Sequence, residues 1–255
     1  MNKFFKIDKK EQLQYCARKI YAERLRQAGF VSYNEEDLSW YKVVNGQVLH
    51  TVYLFSMHTS VPLLLTVGYG YHPLFVPAPI PQKIAFGDIP DDEVMRWVRK
   101  PSAKYATYDG TLVFCHSSAK CGEEILDENV FPELDIAATE EGAYELHRDR
   151  CIKKVSEYKK RGELASLQIV GSEWLADEAI YFGDREIQQL MISQLIRQRD
   201  SAENSKVASK RKKLEWRKAQ VEAIQSGDCE TFLTMLEARK RRFIKDLDRK
   251  LGIQV

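Results

Sequence analysis

Cys115, His116 and Cys121 lie close together and are residue types that bind zinc or act as a nucleophile and its base. Their spacing is not Cys-x-x-Cys, and a fourth ligand would have to come from Glu123 or Glu124. Cys115 and His116 are neighbours in a predicted strand, where successive side chains point to opposite faces and cannot pair. We therefore interpret the cysteines as small buried hydrophobic residues, and expect neither a metal site nor a bound cofactor.

Thiol catalysis would need a histidine from elsewhere in the chain. His58, His72 or His147 could approach Cys115 or Cys121 in the fold, but no local signature of a thiol enzyme surrounds either cysteine. An enzyme with a dispersed site is therefore kept as an alternative without named catalytic residues.

Two groups of acidic residues could bind a divalent cation, as carboxylates do in nucleases. Most of them stand where a predicted helix begins, and negative charge there is explained by helix capping without a metal. The groups are Asp88, Asp91, Asp92 and Glu93, followed by Glu123, Glu124, Asp127 and Glu128.

Sequence motifs of several large enzyme classes are missing. The chain contains no Gly-x-x-x-x-Gly-Lys-Ser/Thr, Gly-x-Gly-x-x-Gly, Gly-x-Ser-x-Gly or His-Glu-x-x-His. These absences argue against phosphate-loop nucleotidases, dinucleotide enzymes, elbow-type hydrolases and zincins.

Basic residues are concentrated near the end of the sequence. From Ser201 onward there are 14 Lys and Arg against 8 Asp and Glu, a net charge of +6, whereas the first 200 residues hold 25 against 29, a net charge of −4. Such asymmetry indicates contact with an anionic partner. The predicted contact residues are Lys210, Arg211, Lys212, Lys213, Trp216, Arg217, Arg239, Lys240 and Arg242.

These residues permit three interpretations. The basic side chains could lie along nucleic-acid phosphates, with Trp216 stacked on a base. They could instead meet an acidic protein, or simply form a solvated helix face, because a run of charge indicates the sign of a partner and not its identity.

An antiparallel sheet is the element best indicated by the sequence. Asn45-Gly46 separates predicted strands at Leu38–Val43 and Val48–Phe55, and Asn-Gly between two β-rich runs is a strong hairpin signal. Val48–Phe55 carries apolar residues on both faces, so we expect it to be central and covered on both sides. A third strand is predicted at Leu63–Tyr69, and the aromatic cluster Tyr69–Pro73 at its end is interpreted as sheet packing rather than a ligand pocket.

The remaining elements follow from apolar periodicity, caps and glycine stops. Asp109-Gly110 predicts a second hairpin between strands at Lys104–Tyr108 and Thr111–His116. Gly29, Gly162, Gly183 and Gly227 are placed to end helices, and Thr139, Asp184 and Asp228 are placed to cap them. The predicted helices cover residues 8–28, 91–100, 121–129, 139–160, 172–181, 184–200, 205–225 and 229–251.

Composition suggests a cytosolic globular protein. At 255 residues the chain can bury a substantial core, and its apolar (44%) and charged (30%) fractions are those of globular proteins. It contains no apolar run long enough for a membrane span and no signal-peptide pattern at its start. Five scattered cysteines do not form a disulfide framework and fit a reducing compartment. We therefore expect a cytoplasmic location and no membrane partner.

A resemblance supports the same fold class. Leu25-Arg26-Gln27-Ala28-Gly29-Phe30, then Trp40-Tyr41, then Val67-Gly68-Tyr69 give the order helix, polar turn, hairpin and apolar strand. Over residues 8 to 200, and most closely over the first 75, this resembles a widespread bacterial family of small α+β domains of unknown function. The resemblance implies a helix-flanked antiparallel sheet and a bacterial source, and it implies no catalytic residues.

Together these patterns predict an α+β fold. An N-terminal helix packs on an antiparallel sheet of about five to seven strands, and a mostly helical second half ends in a helical hairpin. Residues 1–200 are the predicted body and residues 201–255 a basic helical hairpin. Its first helix has few apolar positions and could lie on the surface of the body or project from it. The predicted function is non-enzymatic binding of a protein partner or of a second copy, with nucleic-acid binding as the alternative.

Overall fold

The structure is a computed structural model, and it describes residues 21–33, 38–56, 65–76, 78, 80, 104–106, 112–116, 126–162, 172–211 and 213–255. Residues 54–56, 65–67, 104–106, 112–116, 172–173 and 209–210 are described by their backbone alone. The helix predicted over residues 91–100 lies outside these ranges, as do residues 8–20 of the N-terminal helix and the candidate ligands Cys121, Glu123 and Glu124.

Within the described ranges, six strands form one sheet in which every neighbouring pair is antiparallel. Their order across the sheet is β1-β2-β3-β4-β6-β5. The α+β prediction is confirmed, since this sheet accompanies a largely helical second half. The strands are β1 (Val31–Ser32), β2 (Ser39–Val44), β3 (Val48–Ser56), β4 (Leu65–Pro73), β5 (Lys104–Ala106) and β6 (Leu112–His116).

The hairpin between β2 and β3 forms at the predicted dipeptide. Asn45 and Gly46 have φ values of 53° and 66°, the positive values that a type I′ turn needs at both central positions. The Gln47 amide donates to Val44 O (3.0 Å), and Val44 lies opposite Val48 in the register. The turn residues thereby set the pairing of both strands.

Strand β3 is covered on both faces, as its pattern predicted. Every residue from Val48 to Tyr53 is buried, although neighbouring side chains point in opposite directions. On one face the ring of Tyr53 lies over its cross-strand partner Gly68, where an added Cβ would stand 2.2 Å from the ring. Glycine is therefore required at this position because the aromatic ring occupies the space of a side chain.

Strand β4 is longer than predicted. It was expected to end at Tyr69, but it continues to Pro73 because β3 offers backbone partners along its whole length, with Val48 opposite Pro73. Tyr69, Tyr71 and His72 are buried within this strand. The aromatic cluster is therefore sheet and core packing, as interpreted from the sequence.

The second predicted hairpin agrees with the pairing of β5 and β6. Tyr105 lies opposite Val113 in an antiparallel ladder. The Asp109-Gly110 turn lies outside the described residues. Strand β6 also pairs with β4, which places Cys115 opposite Thr66 in the backbone register.

By its internal contacts the chain divides into two compact units. The first consists of the described residues of Met1–Leu74, Ala78–Ala143 and Ile244–Val255, and the second of those of Phe75–Pro77 and Tyr144–Phe243. Residues 201–243 therefore share a unit with residues 144–200.

Two short helices lie against one face of the sheet in the first unit. The helix α1 (Glu23–Gln27) is followed by Gly29, whose φ of 84° supplies the predicted stop. Lys42 of β2 donates from Nζ to Ala28 O (2.8 Å), at the C-terminal end of this helix. The helix α2 (Phe131–Ile136) follows a single π turn at 126–130, and His50 of β3 donates from Nε2 to Ala137 O (3.0 Å) just beyond it.

The second half is helical, with predicted caps in place. Thr139 Oγ1 accepts from the Gly142 amide (3.1 Å), and Asp184 Oδ1 accepts from the Ile187 amide (3.1 Å). Asp228 Oδ1 accepts from the Glu230 amide (3.1 Å) after a glycine stop at Gly227 with φ 78°. The helices are α3 (Glu140–Lys160), α4 (Ser172–Tyr181), α5 (Arg185–Glu203), α6 (Ala208–Arg211), α7 (Leu214–Ser226) and α8 (Glu230–Leu251).

The first helix of the predicted hairpin differs from its expected form. It was predicted as one helix over 205–225 that could project, but the structure has two pieces, α6 and α7. Helix α7 does not project, because it packs on α4 and α5 and buries Val221, Ala223 and Ile224. The buried face of α7 also includes Arg217 and Gln220. Apolar periodicity does not detect these two residues, because their side chains are polar.

Candidate functional site

The predicted contact residues divide into exposed and internal groups. Arg211, Lys213 and Arg242 are exposed, and Lys240 is half-buried. Lys212 and the side chain of Lys210 lie outside the described residues. The remaining three, Trp216, Arg217 and Arg239, are held inside the second unit by hydrogen bonds.

Trp216 contacts other side chains on more than one side. Its Nε1 donates to Asp177 Oδ1 (3.0 Å), and its ring meets Phe232 edge-on with the centroids 5.1 Å apart. The guanidinium carbon of Arg239 lies 3.9 Å from the ring centroid, over the ring. The tryptophan therefore connects α4, α7 and α8 within the unit.

Arg239 is fixed by three interactions at once. Besides stacking on Trp216, it donates from Nη2 to Asp177 Oδ2 (2.5 Å) and from Nε to the backbone oxygen of Phe75 (2.7 Å). Its side chain is only 17% exposed. A planar guanidinium with several N–H donors can satisfy all of these partners, and a lysine ammonium could not reproduce them.

Asp177 is the centre of this network. Its carboxylate is buried and accepts from Arg239, from Trp216 and from Gln220 Nε2 (2.6 Å). Gln220 in turn accepts from Arg217 Nη1 (2.7 Å). Burial raises the pKa of Asp177 to about 6, against the lowering effect of Arg239 and the other donors. Burial likewise lowers the pKa of Arg217 to about 10.

The next residue on α4 is a second buried acid with a different partner. Glu178 is 1% exposed, and both its oxygens lie within 3.0 Å of His147 Nδ1 on α3. Consecutive helix residues point about 100° apart. Asp177 and Glu178 therefore attach α4 to different neighbours, the first to α7 and α8 and the second to α3.

A third polar cluster joins α3 to the start of α5. Tyr144 donates from its hydroxyl to Asp184 Oδ2 (2.7 Å), and Arg148 donates from Nε to the same oxygen (2.7 Å). Burial acts to raise the pKa of Asp184, but the hydrogen bonds from Arg148 and Tyr144 hold it below its usual value. Burial, together with the bond to Asp184, raises the pKa of Tyr144.

Cys151 has the surroundings of a structural thiol and not of a nucleophile. Cys151 is buried on α3, and burial raises the pKa of its thiol to about 11. A reactive thiol needs the opposite shift, because the thiolate is the nucleophile. His147, one turn earlier, is engaged with Glu178. The side chains of Cys115 and His116 and all of Cys121 lie outside the described residues.

A metal site is not formed by the part of the chain that the structure describes. No group of three or more His, Cys, Asp or Glu side chains converges there. The acidic group at 88–93 and residues Glu123 and Glu124 lie outside the described ranges, so the alternative metal site remains a hypothesis for them. Asp127 of the second group binds Arg24 (2.6 Å).

A shallow groove opens beside α5 and α7 in the second unit. Its two cations are both ion-paired, Arg199 with Asp200 (2.8 Å) and Lys218 with Glu203 (3.4 Å). The lining residues are Arg199, Lys218, Val221, Glu222, Gln225 and Ser226.

Helix α8 presents cations on the face opposite its buried one. Phe232, Leu236, Phe243 and Leu247 are buried, whereas a set of basic residues at three- and four-residue spacing is exposed. We call this set the outer stripe, and it consists of Arg241, Arg242, Lys245 and Arg249.

Ion pairing leaves most of the outer stripe available. Arg249 binds Asp246 of its own helix (2.5 Å), but both side chains are well exposed, so the pair contributes little. Arg242 donates from Nε to Ala238 O (3.3 Å), and neither Arg241 nor Lys245 forms an ion pair with a described residue. Arg242 alone of this set was among the predicted contact residues. The helical spacing relative to Phe243 and Leu247 would have identified the others.

None of the helices in the described ranges combines the length and apolar character needed to cross a membrane. Comparisons with protein-family models, curated proteins and solved structures found no match to this chain.

Proposed function

We propose that this protein is a non-enzymatic macromolecule-binding protein whose contact surface is the outer stripe of α8. The observation that carries the proposal is the exposure of Arg241, Arg242, Lys245 and Arg249 on one side of a helix whose other side is anchored in the core. A rigid helix presenting cations favours an anionic macromolecule as partner. We also propose that the protein is bacterial and cytosolic. Residues 8–200 are proposed to belong to the bacterial family that they resemble.

Internal hydrogen bonding supports a binding role over catalysis. Displaced pKa values often mark reaction sites, but structural networks produce them as well. Asp177, Asp184 and Tyr144 are all engaged in hydrogen bonds between helices. Their shifts are therefore explained by packing in the described residues, without a reaction.

The surface around the stripe favours charge over apolar docking. Protein–protein interfaces usually contain an apolar centre rich in aromatic side chains. The large apolar side chains that are exposed in the described residues are scattered, and none lies on α8. They are Val31, Tyr33, Ile136, Val207 and Val255.

A heparin column tests the proposal with two variants of equal charge. The stripe variant changes the outer stripe to glutamine, and the control variant changes four exposed basic residues in the second half of α3 and just after its end. We expect the stripe variant to elute at much lower salt than the wild type and the control variant to elute near the wild type. The variants are R241Q/R242Q/K245Q/R249Q and K153Q/K159Q/K160Q/R161Q.

Two results would contradict the proposal. Equal shifts in both variants would mean that net charge alone governs retention, and unchanged elution of the stripe variant would mean that the contact lies elsewhere. Because all substituted residues are exposed, circular dichroism should show that both variants keep the wild-type fold.

A further inference from the structure

We infer that the anionic partner is a nucleic acid, held through its phosphate backbone with no reading of its bases. This inference rests on the proposed function, and it specifies both the partner class and the manner of contact. It follows from the spacing of the stripe, from the side chains that surround it and from the position of Trp216.

The spacing of the stripe suits a row of phosphates. Arg241, Lys245 and Arg249 follow one another at four-residue intervals, which a helix converts to about 6 Å of rise. Double-stranded DNA carries one charge per about 1.7 Å of its axis, so a row of cations about 6 Å apart faces a dense array of phosphates. Arg242 lies beside this row and adds a second line of contact.

The chemistry of the side chains favours phosphate. Three of the four stripe residues are arginines, whose forked N–H groups bind phosphate oxygens in pairs. Interfaces with nucleic acid are much more positively charged than interfaces between proteins and need no apolar centre. The exposed acids Glu237 and Asp248 lie within one helical turn of Arg241 and Lys245 and reduce the positive field of the stripe.

Trp216 is not available to stack on a base. One face of its ring is covered by Arg239, its edge contact is to Phe232 and its N–H is bonded to Asp177. Sequence-tolerant single-strand binding normally uses exposed aromatic side chains as stacking platforms. On α8 no aromatic side chain is exposed, since Phe232 and Phe243 are both buried. The contact is therefore electrostatic and insensitive to sequence.

Fluorescence anisotropy with short labelled DNA duplexes tests the inference. We expect the full-length protein to bind duplexes of unrelated sequence with affinities within about threefold of each other, because phosphate contacts carry no sequence information. The logarithm of the association constant should fall with the logarithm of salt concentration with a slope of about −3 to −4, as neutralisation of four phosphates requires.

The two charge-matched variants keep this experiment decisive. The stripe variant should lose most of the slope together with the binding, and each single substitution, such as R241Q, should lower the slope by about 0.9. The control variant should retain the wild-type slope. A slope unchanged by the stripe substitutions would overturn the inference.

The heparin column separates the two proposals. Stripe-dependent retention on heparin without duplex binding at about 50 mM salt would overturn the nucleic-acid inference and leave the proposed function standing. If the protein shows neither stripe-dependent retention on heparin nor duplex binding, the proposed function and the nucleic-acid inference are both refuted. Discrimination of more than about tenfold between duplex sequences would show base reading and would also overturn the inference, since each good base contact discriminates by about 1–3 kcal/mol.

Discussion

Arg239 and Arg241 are two residues apart on α8 and have opposite environments. Arg239 is paired with the buried Asp177 and stacked on Trp216, whereas Arg241 is exposed in the outer stripe. Their neighbourhood in sequence gives no hint of this difference. It depends only on the helical rotation of about 100° per residue.

Substitution of these arginines should separate stability from binding. We expect Arg239→Ala to lower the free energy of unfolding by about 3–5 kcal/mol, because it leaves the Asp177 carboxylate buried without its cation. Arg241→Ala should change that free energy by less than about 0.5 kcal/mol and should weaken polyanion binding. Urea denaturation and heparin elution of both variants measure the two effects. A stable R239A protein would show that the network does not hold the helices.

The carboxylate of Asp177 should make stability depend on pH. Burial raises its pKa from the usual 3.8 to about 6, so the folded chain binds this proton more tightly than the unfolded chain. The stabilising contribution of this group is complete below pH 3.8 and is lost as the pH rises through about 6. We expect the difference in unfolding free energy between the wild type and Asp177→Asn to decrease from acid to neutral pH.

Measurement of that difference in urea at several pH values isolates Asp177, because the other titrating groups are the same in both proteins. Asp184 has a lowered pKa and acts in the opposite direction, but it does so equally in the wild type and in D177N. A difference that grows as the pH rises would contradict the prediction.

At the scale of elements, the two aspartate caps of the second half have unequal surroundings. Asp228 caps α8 from an exposed turn, whereas Asp184 caps α5 and also accepts from Tyr144 and Arg148. Each accepts from an amide in the first turn of its helix, Asp184 from Ile187 and Asp228 from Glu230. The additional hydrogen bonds of Asp184 to Tyr144 and Arg148 are its tertiary contribution to stability.

Alanine substitution should therefore cost different amounts at the two caps. We expect Asp228→Ala to lower the free energy of unfolding by about 1 kcal/mol, as loss of a cap does. Asp184→Ala should cost about 2–3 kcal/mol, because the hydroxyl of the buried Tyr144 also loses its acceptor. Thermal unfolding of the two variants compares them, and equal losses would show that the bonds to α3 do not contribute.

Local signals predicted most of the elements correctly. The Asn45-Gly46 turn, the stop at Gly227 and the caps Thr139 and Asp184 act over a few residues, and the sequence displays them directly. The strand β4 was predicted too short because its end is set by pairing with β3 and not by its own residues.

The polar networks could not be predicted in the same way. Trp216 and Arg239 were interpreted as contact residues because they stand in basic runs, yet their partner Asp177 is 39 and 62 residues away in the chain. Apolar periodicity shows which residues share a helix face, but it does not show which distant buried acid they contact in the fold. The exposed cations of α8 could be identified from the sequence by their helical spacing. The buried hydrogen bonds of Trp216 and Arg239 to Asp177 could not.

At the scale of the whole molecule, the net charge of +2 does not show that buried and exposed cations have separate roles. The cations of α8 are sorted by depth, with Arg239 used inside and the outer stripe left at the surface. Arg239 and Arg249 are ten residues apart, about 15 Å along the helix, so the effects of substituting them should add within about 0.5 kcal/mol. Stability and polyanion binding can then be altered independently in one protein.

Helix α4 is buried on every side from Leu175 to Ile180, so apolar contacts alone would allow it to settle in several orientations. The adjacent acids at 177 and 178 remove that freedom. A turn of one residue about the helix axis would carry each carboxylate away from its donors and leave a charge in an apolar setting, at a cost of several kcal/mol. The helix consequently has a single rotational setting. The two adjacent acids select one packing among many that would bury the same apolar surface.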